Sequence, residues 1–167
     1  MRRLFHRHRH TVFATLAVVF VLFASTAHAE IAARDGWVIL PTAHSYPALV
    51  KRIDQAAKVN KIAVVTRASA TVGAKKALDQ TIPGNMVIGL YHPRFAVRML
   101  KASIAAGIEA PIRLYLTENE NGTATISYKT PSSVFAAYME EGGAPLKALA
   151  GELDQLFDKL ATEAAGP

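Results

Sequence analysis

His92, Arg94, Arg98 and Lys101 are the residues whose types and spacing first suggest chemistry. The step Tyr91-His92-Pro93-Arg94 reads as a strand running into a helix, with Pro93 suited to the first helical position. A helix N-terminus presents unsatisfied N–H groups and a partial positive charge, so it attracts anions. Arg94, Arg98 and Lys101 recur at spacings of four and three, which places them on one helix face. With Tyr91 and His92 they could hold a carboxylate, phosphate or sulfate. The competing reading is a solvated basic face on which His92 is a cap. Tyr91, Tyr115 and Tyr128 with Arg113 are candidates for a pocket on the polar face of a sheet. His92 also suits an acid or base role, because imidazole titrates near neutrality. His44 and His92 are candidate metal ligands. They stand 48 residues apart with no local ligand spacing, so Asp35, Glu109, Met86 or Met99 would have to complete such a site.

Several chemistries are absent from the sequence. The chain has no cysteine, hence no thiolate ligand, no thiol nucleophile and no disulfide staple. It has no Gly-x-Ser-x-Gly, no phosphate loop and no dinucleotide fingerprint.

The N-terminus carries an address. Arg2, Arg3, Arg7 and Arg9 precede an apolar run from Val12 to Ala24, and Ala27-His28-Ala29 follows as a small-x-small site. This three-part pattern is that of a secretory signal peptide cut after Ala29. The alternative, a retained anchor, needs about 20 apolar residues, and the run is shorter than that. Cleavage leaves no membrane span and a periplasmic or secreted chain of residues 30–167. It also changes the charge. The full chain has 19 Lys and Arg against 13 Asp and Glu; without the leader four arginines go and the net charge is +2. That small surplus gives no basis for a nucleic-acid partner. Residues 30–167 are enough for one domain with its own core.

The elements that must position these residues alternate along the chain. Trp37–Pro41 reads as a strand. Ser45 offers an N-cap to a helix with apolar positions Tyr46, Leu49, Val50, Ile53, Ala56 and Ala57, and Asn60 suits a left-handed C-cap. Ile62–Arg67 reads as a buried strand, Thr71–Leu78 as a short helix and Met86–Tyr91 as a strand covered on both faces. A helix over Arg94–Ala105 and a break between Gly107 and Pro111 follow. Ile112–Thr117 and Thr123–Lys129 form a hairpin. A three-residue loop of Glu120, Asn121 and Gly122 sets Leu116 opposite Ile126 and Leu114 opposite Tyr128, and Gly122 suits the left-handed position that ends such a loop. Asn121-Gly122-Thr123 also spells a glycosylation sequon, which the turn explains. Pro131–Met139 reads as a short helix and Glu141–Ala144 as a hinge. The last helix starts at Pro145 and runs to about Ala161, with an apolar stripe that belongs to the core or to an interface.

From about Tyr46 to Tyr138 the order of these parts resembles the DUF302 family, small domains of unknown function. The resemblance rests on the amphipathic helix, the Lys61–Arg67 strand and the Gly73-Ala74 segment. It continues through the Leu90-Tyr91-His92-Pro93 step, the Gly107-Ile108-Glu109-Ala110-Pro111 step, the Arg113-Leu114-Tyr115-Leu116 strand and the acidic hairpin closed by Gly122. The family commonly has Asn where this chain has His92, and many members have Cys where it has Ile112. A role carried by that asparagine or cysteine therefore does not transfer. The resemblance implies an α+β domain whose mainly antiparallel five-stranded sheet is packed by helices, often paired as a homodimer. Strand–helix alternation alone would instead suggest a parallel doubly wound sheet.

The expected function is an exported α+β domain that binds a small ligand, an anion included, or a partner protein. Tyr91, His92, Arg94, Arg98 and Arg113 are the ligand-binding candidates. The alternatives are a periplasmic enzyme on a small polar substrate with His92 as acid or base, and a metal-binding accessory protein using His44 and His92. No cofactor is implied by any motif.

Overall fold

The computed structural model describes residues 31–167. The leader, its apolar run and the cut after Ala29 lie outside the described residues. One sheet of five strands organises the rest, in the order β1-β5-β4-β3-β2. The strands are β1 (Trp37–Ser45), β2 (Ala63–Ala68), β3 (Asn85–Tyr91), β4 (Ile112–Glu118) and β5 (Thr123–Lys129). All four neighbouring pairs are antiparallel. The domain is therefore α+β, and the doubly wound alternative is excluded.

The helices are α1 (Tyr46–Val59), α2 (Ala70–Leu78), α3 (Pro93–Ala102), α4 (Pro131–Val134) and α5 (Met139–Ala165). Helix α5 touches both α1 and α3, and the three cover one face of the sheet. That face carries Ile88 and Leu90 from β3, Ile112, Leu114 and Leu116 from β4, and Ala124, Ile126 and Tyr128 from β5, all buried. Leu49 and Ile53 of α1, Phe95 and Met99 of α3, and Leu146, Leu149, Leu153, Phe157 and Leu160 of α5 meet them. The stripe of the last helix is thus core. The period-2 alternation of β4 and the helical period of α5 converge on this one apolar layer, which removes most of the large side chains from water.

The hairpin closes as its alternation demands. Tyr115 opposes Ser127 and Leu116 opposes Ile126. Asn119 N–H donates to Thr123 O, and Gly122 takes φ +78°, so the loop is the expected three residues.

Local departures have physical causes. Strand β1 continues to Ser45, whose side chain makes no cap bond to α1. Asn60 does not take the left-handed conformation; Lys61 does, with φ +56°, while the Asn60 amide donates to Ala56 O and to Glu163 Oε2. Strand β2 is not buried. It is the edge of the sheet and largely exposed, so its β-branched run reflects strand propensity and not burial. Helix α3 stops at Ala102. Ser103 then accepts from Ala106 N–H and starts a 3-10 turn over Ala105–Glu109. The helix expected over Pro131–Met139 breaks into α4 and a 3-10 turn over Ala136–Tyr138. Helix α5 is interrupted at Gly143, with φ +54° and ψ −150°, just before the expected start at Pro145, and it runs on to Ala165.

Candidate functional site

The opposite face of the sheet has no layer of helices, and its side chains follow from the strand registers. Trp37 opposes Lys129, and Arg113 opposes Gly89, which opposes Thr66. Continuing the β4–β5 register two residues past the Tyr115–Ser127 pair brings Lys129 beside Arg113 in the same row, and both line the same concavity. The next row runs Ile39, Ser127, Tyr115, Val87 and Ala68. Arg113 and Lys129 are thus cross-strand neighbours of like charge, a destabilising arrangement by itself.

These rows floor a concavity of about 670 Å³. Trp37, Val87, Arg113, Tyr115 and Lys129 line it from the sheet, and Ser69 and Ala70 from the start of α2. Glu109 and Val134 line it as well. Ser69 caps α2 by accepting from Val72 N–H, and Asn85 accepts from Ala70 N–H, so this wall is held by its own hydrogen bonds. Glu109, the one carboxylate among the described lining residues, accepts from Tyr138 Oη–H at 2.8 Å. That bond pushes the Tyr138 phenol up from its ordinary value. Trp37 has the Arg34 guanidinium 5.0 Å from its ring centroid and the Lys129 ammonium at 5.9 Å. Gly89 is needed here. A Cβ on it would meet Thr66 Oγ1 at 2.2 Å and Pro111 Cγ at 2.7 Å.

The second cluster of expected site residues lies at the start of α3. His92 does cap this helix: its Nδ1 accepts from Arg94 N–H at 3.0 Å. In a neutral ring that leaves the proton on Nε2, so this imidazole cannot serve as a base without releasing the cap. Arg94 and Arg98 both reach Glu152 of α5, which supplies the carboxylate their face attracts. The Arg94 guanidinium also lies over the Phe95 ring at 4.5 Å. Beneath His92 is an apolar void of about 40 Å³ among Leu90, Phe95, Leu149, Leu153 and Phe157. It is small and wholly apolar in its depth, so it is a packing gap and not a polar site.

The structure therefore divides the expected set. Tyr91, His92, Arg94 and Arg98 gather at the α3–α5 side, and Arg113 stands on the open face. Tyr115 joins Arg113 there. Tyr128 does not; it is in the core, its ring 5.7 Å from that of Phe157, and burial pushes its phenol up to about 12, with Asp158 and Asp154 adding to the shift. His44 is far from His92. Its Nε2 is 2.7 Å from Gly166 O at the end of α5, whereas His92 adjoins Leu153, and that stretch of helix is about 20 Å at 1.5 Å per residue. The two cannot share a metal ion in this arrangement. Among the described residues no three His, Asp or Glu side chains gather as a metal site. Sequence reading missed Trp37 and Lys129 as site residues. The alternation of β1 and β5 marks their face, but which strands adjoin is decided by pairing.

A family model described as "Domain of unknown function DUF302" matches residues 38–163. The chain belongs to the DUF302 family. The matched range includes most of β1 and nearly all of α5, beyond the stretch whose motif order carries the resemblance. A crystal structure titled as an uncharacterized conserved DUF302 protein from Bacillus stearothermophilus is similar in fold, with TM-score 0.69 at 17% identity. The alignment covers 78% of this chain and 99% of that one. No curated protein matches the chain. The family thus accounts for the antiparallel α+β architecture, and the chemistry of this DUF302 chain rests on its own side chains.

Proposed function

We propose that this DUF302 protein is an exported, non-enzymatic domain that binds a small molecule in the concavity on the open face of its sheet. One observation carries the reading: Arg113 and Lys129 stand side by side at that concavity with no carboxylate paired to either among the described residues. Arg94 and Arg98, by contrast, have Glu152. The size supports the reading as well, since small-ligand pockets commonly run from about 300 to 1,000 Å³. Export is supported by the three-part leader, and no described helix is long and apolar enough to cross a membrane. For the enzyme alternative, the cap bond that occupies Nδ1 disfavours a base role for His92.

Native mass spectrometry of the protein from the exported fraction tests this reading. The expected species is a homodimer of chains beginning at Glu30, carrying a small-molecule adduct that denaturation releases. An intact leader would overturn export, and a monomer would overturn the pairing. Adduct binding that survives replacement of Arg113 and Lys129 by Gln would overturn the site.

A further inference from the structure

Charge and shape at the concavity point to a class of ligand. Like charges directly opposed on adjacent strands repel, and a guanidinium next to an ammonium concentrates positive potential over the low-dielectric sheet. Arg113 offers a planar fork of donors suited to a carboxylate, sulfonate or phosphate, and Lys129 offers a mobile point charge beside it. Glu109 keeps its charge while accepting from Tyr138, but among the described residues it forms no ion pair with either cation. Next to the cations the lining becomes flat and apolar. Val87 and Tyr115 form the floor in the neighbouring row, and Trp37 and Val134 line the concavity beside them. A bare inorganic anion would use the cations and leave this surface wet.

We infer that the ligand is an organic anion with a flat apolar body, its charged group held between Arg113 and Lys129 and its body laid on Val87 and Tyr115 beside Trp37. The inference rests on the proposed binding role of the concavity. The anion relieves the repulsion between the two cations, and the body covers the apolar floor. A cation adds to the repulsion even where its body covers the floor, and a neutral ring obtains only the second gain.

The test uses four probes of matched parts: 2-naphthoate, 2-naphthalenemethanol, 2-naphthylmethylamine and acetate, with inorganic phosphate beside acetate as a second bare anion. Affinities come from calorimetry, and the location from amide shifts in the labelled protein together with the indole N–H of Trp37, the only tryptophan in the sequence. Naphthoate is expected to bind at least tenfold tighter than each of the others and to move Val87, Tyr115 and Trp37. Arg113→Gln and Lys129→Gln are each expected to weaken naphthoate severalfold and to leave the alcohol unchanged. Both side chains are exposed, so neither change should lower the melting temperature appreciably. If the alcohol or the amine binds at the concavity as tightly as naphthoate, the anion is not what the site selects and the inference falls while the binding role stands. Equal binding by acetate or phosphate removes the apolar body in the same way. If no probe moves the concavity at millimolar concentration, the inference and the binding role fall together.

Discussion

Arg94 and Arg113 look alike in sequence, each a cation within two residues of an aromatic, and the fold treats them differently. Arg94 meets Glu152 and lies over Phe95, so its charge is spent within the protein. Arg113 meets Lys129 and an open concavity. The three tyrosines grouped as pocket candidates separate in the same way. Tyr115 stays on the open face, Tyr91 ends β3, and Tyr128 is in the core. Burial holds the Tyr128 phenol at about 12, while an unfolded phenol ionises near 10. The raised value makes the neutral form part of the folded state. Its contribution is complete below pH 10 and is lost as pH rises through 12, up to ~3 kcal/mol in all. The urea midpoint of the native protein should therefore fall more steeply between pH 10 and 11.5 than that of Tyr128→Phe. Parallel slopes would mean that this phenol does not govern alkaline stability.

At the scale of elements, two glycines make opposite predictions. Gly151 lies inside α5, and a Cβ there would meet nothing within 4 Å. Alanine removes the backbone-entropy penalty of glycine in a helix, so Gly151→Ala should stabilise by about 0.5–1 kcal/mol. Gly89 is mid-strand, where a Cβ would press on Thr66 and Pro111. Gly89→Ala should destabilise by about 1–3 kcal/mol, because the crowded neighbours must shift. Thermal melts of the two variants check both signs. The strong periodicities of α1, β4 and α5 were legible because each element has one wet face and one dry face, whereas β5 alternates in sequence although both its faces are buried. Strand β2 and helix α2 were less legible. An edge strand keeps its β-branched residues whether or not anything covers them, and α2 buries no residue at all. Gly122 was legible because a three-residue hairpin needs a left-handed residue there. Asn60 was misleading, since the adjacent Lys61 took that conformation and left the asparagine amide free to reach Glu163.

For the molecule as a whole, α1 and the end of α5 are joined far from the concavity. Arg52 Nε donates to Ala164 O at 2.6 Å, and its Nη2 donates to Gly166 O at 2.7 Å. A cation at a helix C-terminus meets both unsatisfied carbonyls and the negative end of the helix dipole. His44 adds its contact to Gly166 from β1. Arg52→Ala should cost about 1–2 kcal/mol in urea denaturation and should speed amide exchange over residues 162–166. It should leave 2-naphthoate binding unchanged, because the clamp is remote from Arg113 and Lys129. Normal exchange in that segment would show that packing alone holds the helix end.

The sequence by itself determined a family, the hairpin register and the dry face of α1, β4 and α5. Those properties depend on neighbours within a few residues or on motif order, so they can be read along the chain. Tertiary structure decided which cations would be neutralised and which would remain paired with each other. That outcome depends on strand order and on where α5 crosses α3, set by pairings between residues far apart in sequence. Glu152 reaches Arg98 across 54 positions, and Lys129 comes beside Arg113 only because β4 and β5 fold back on one another.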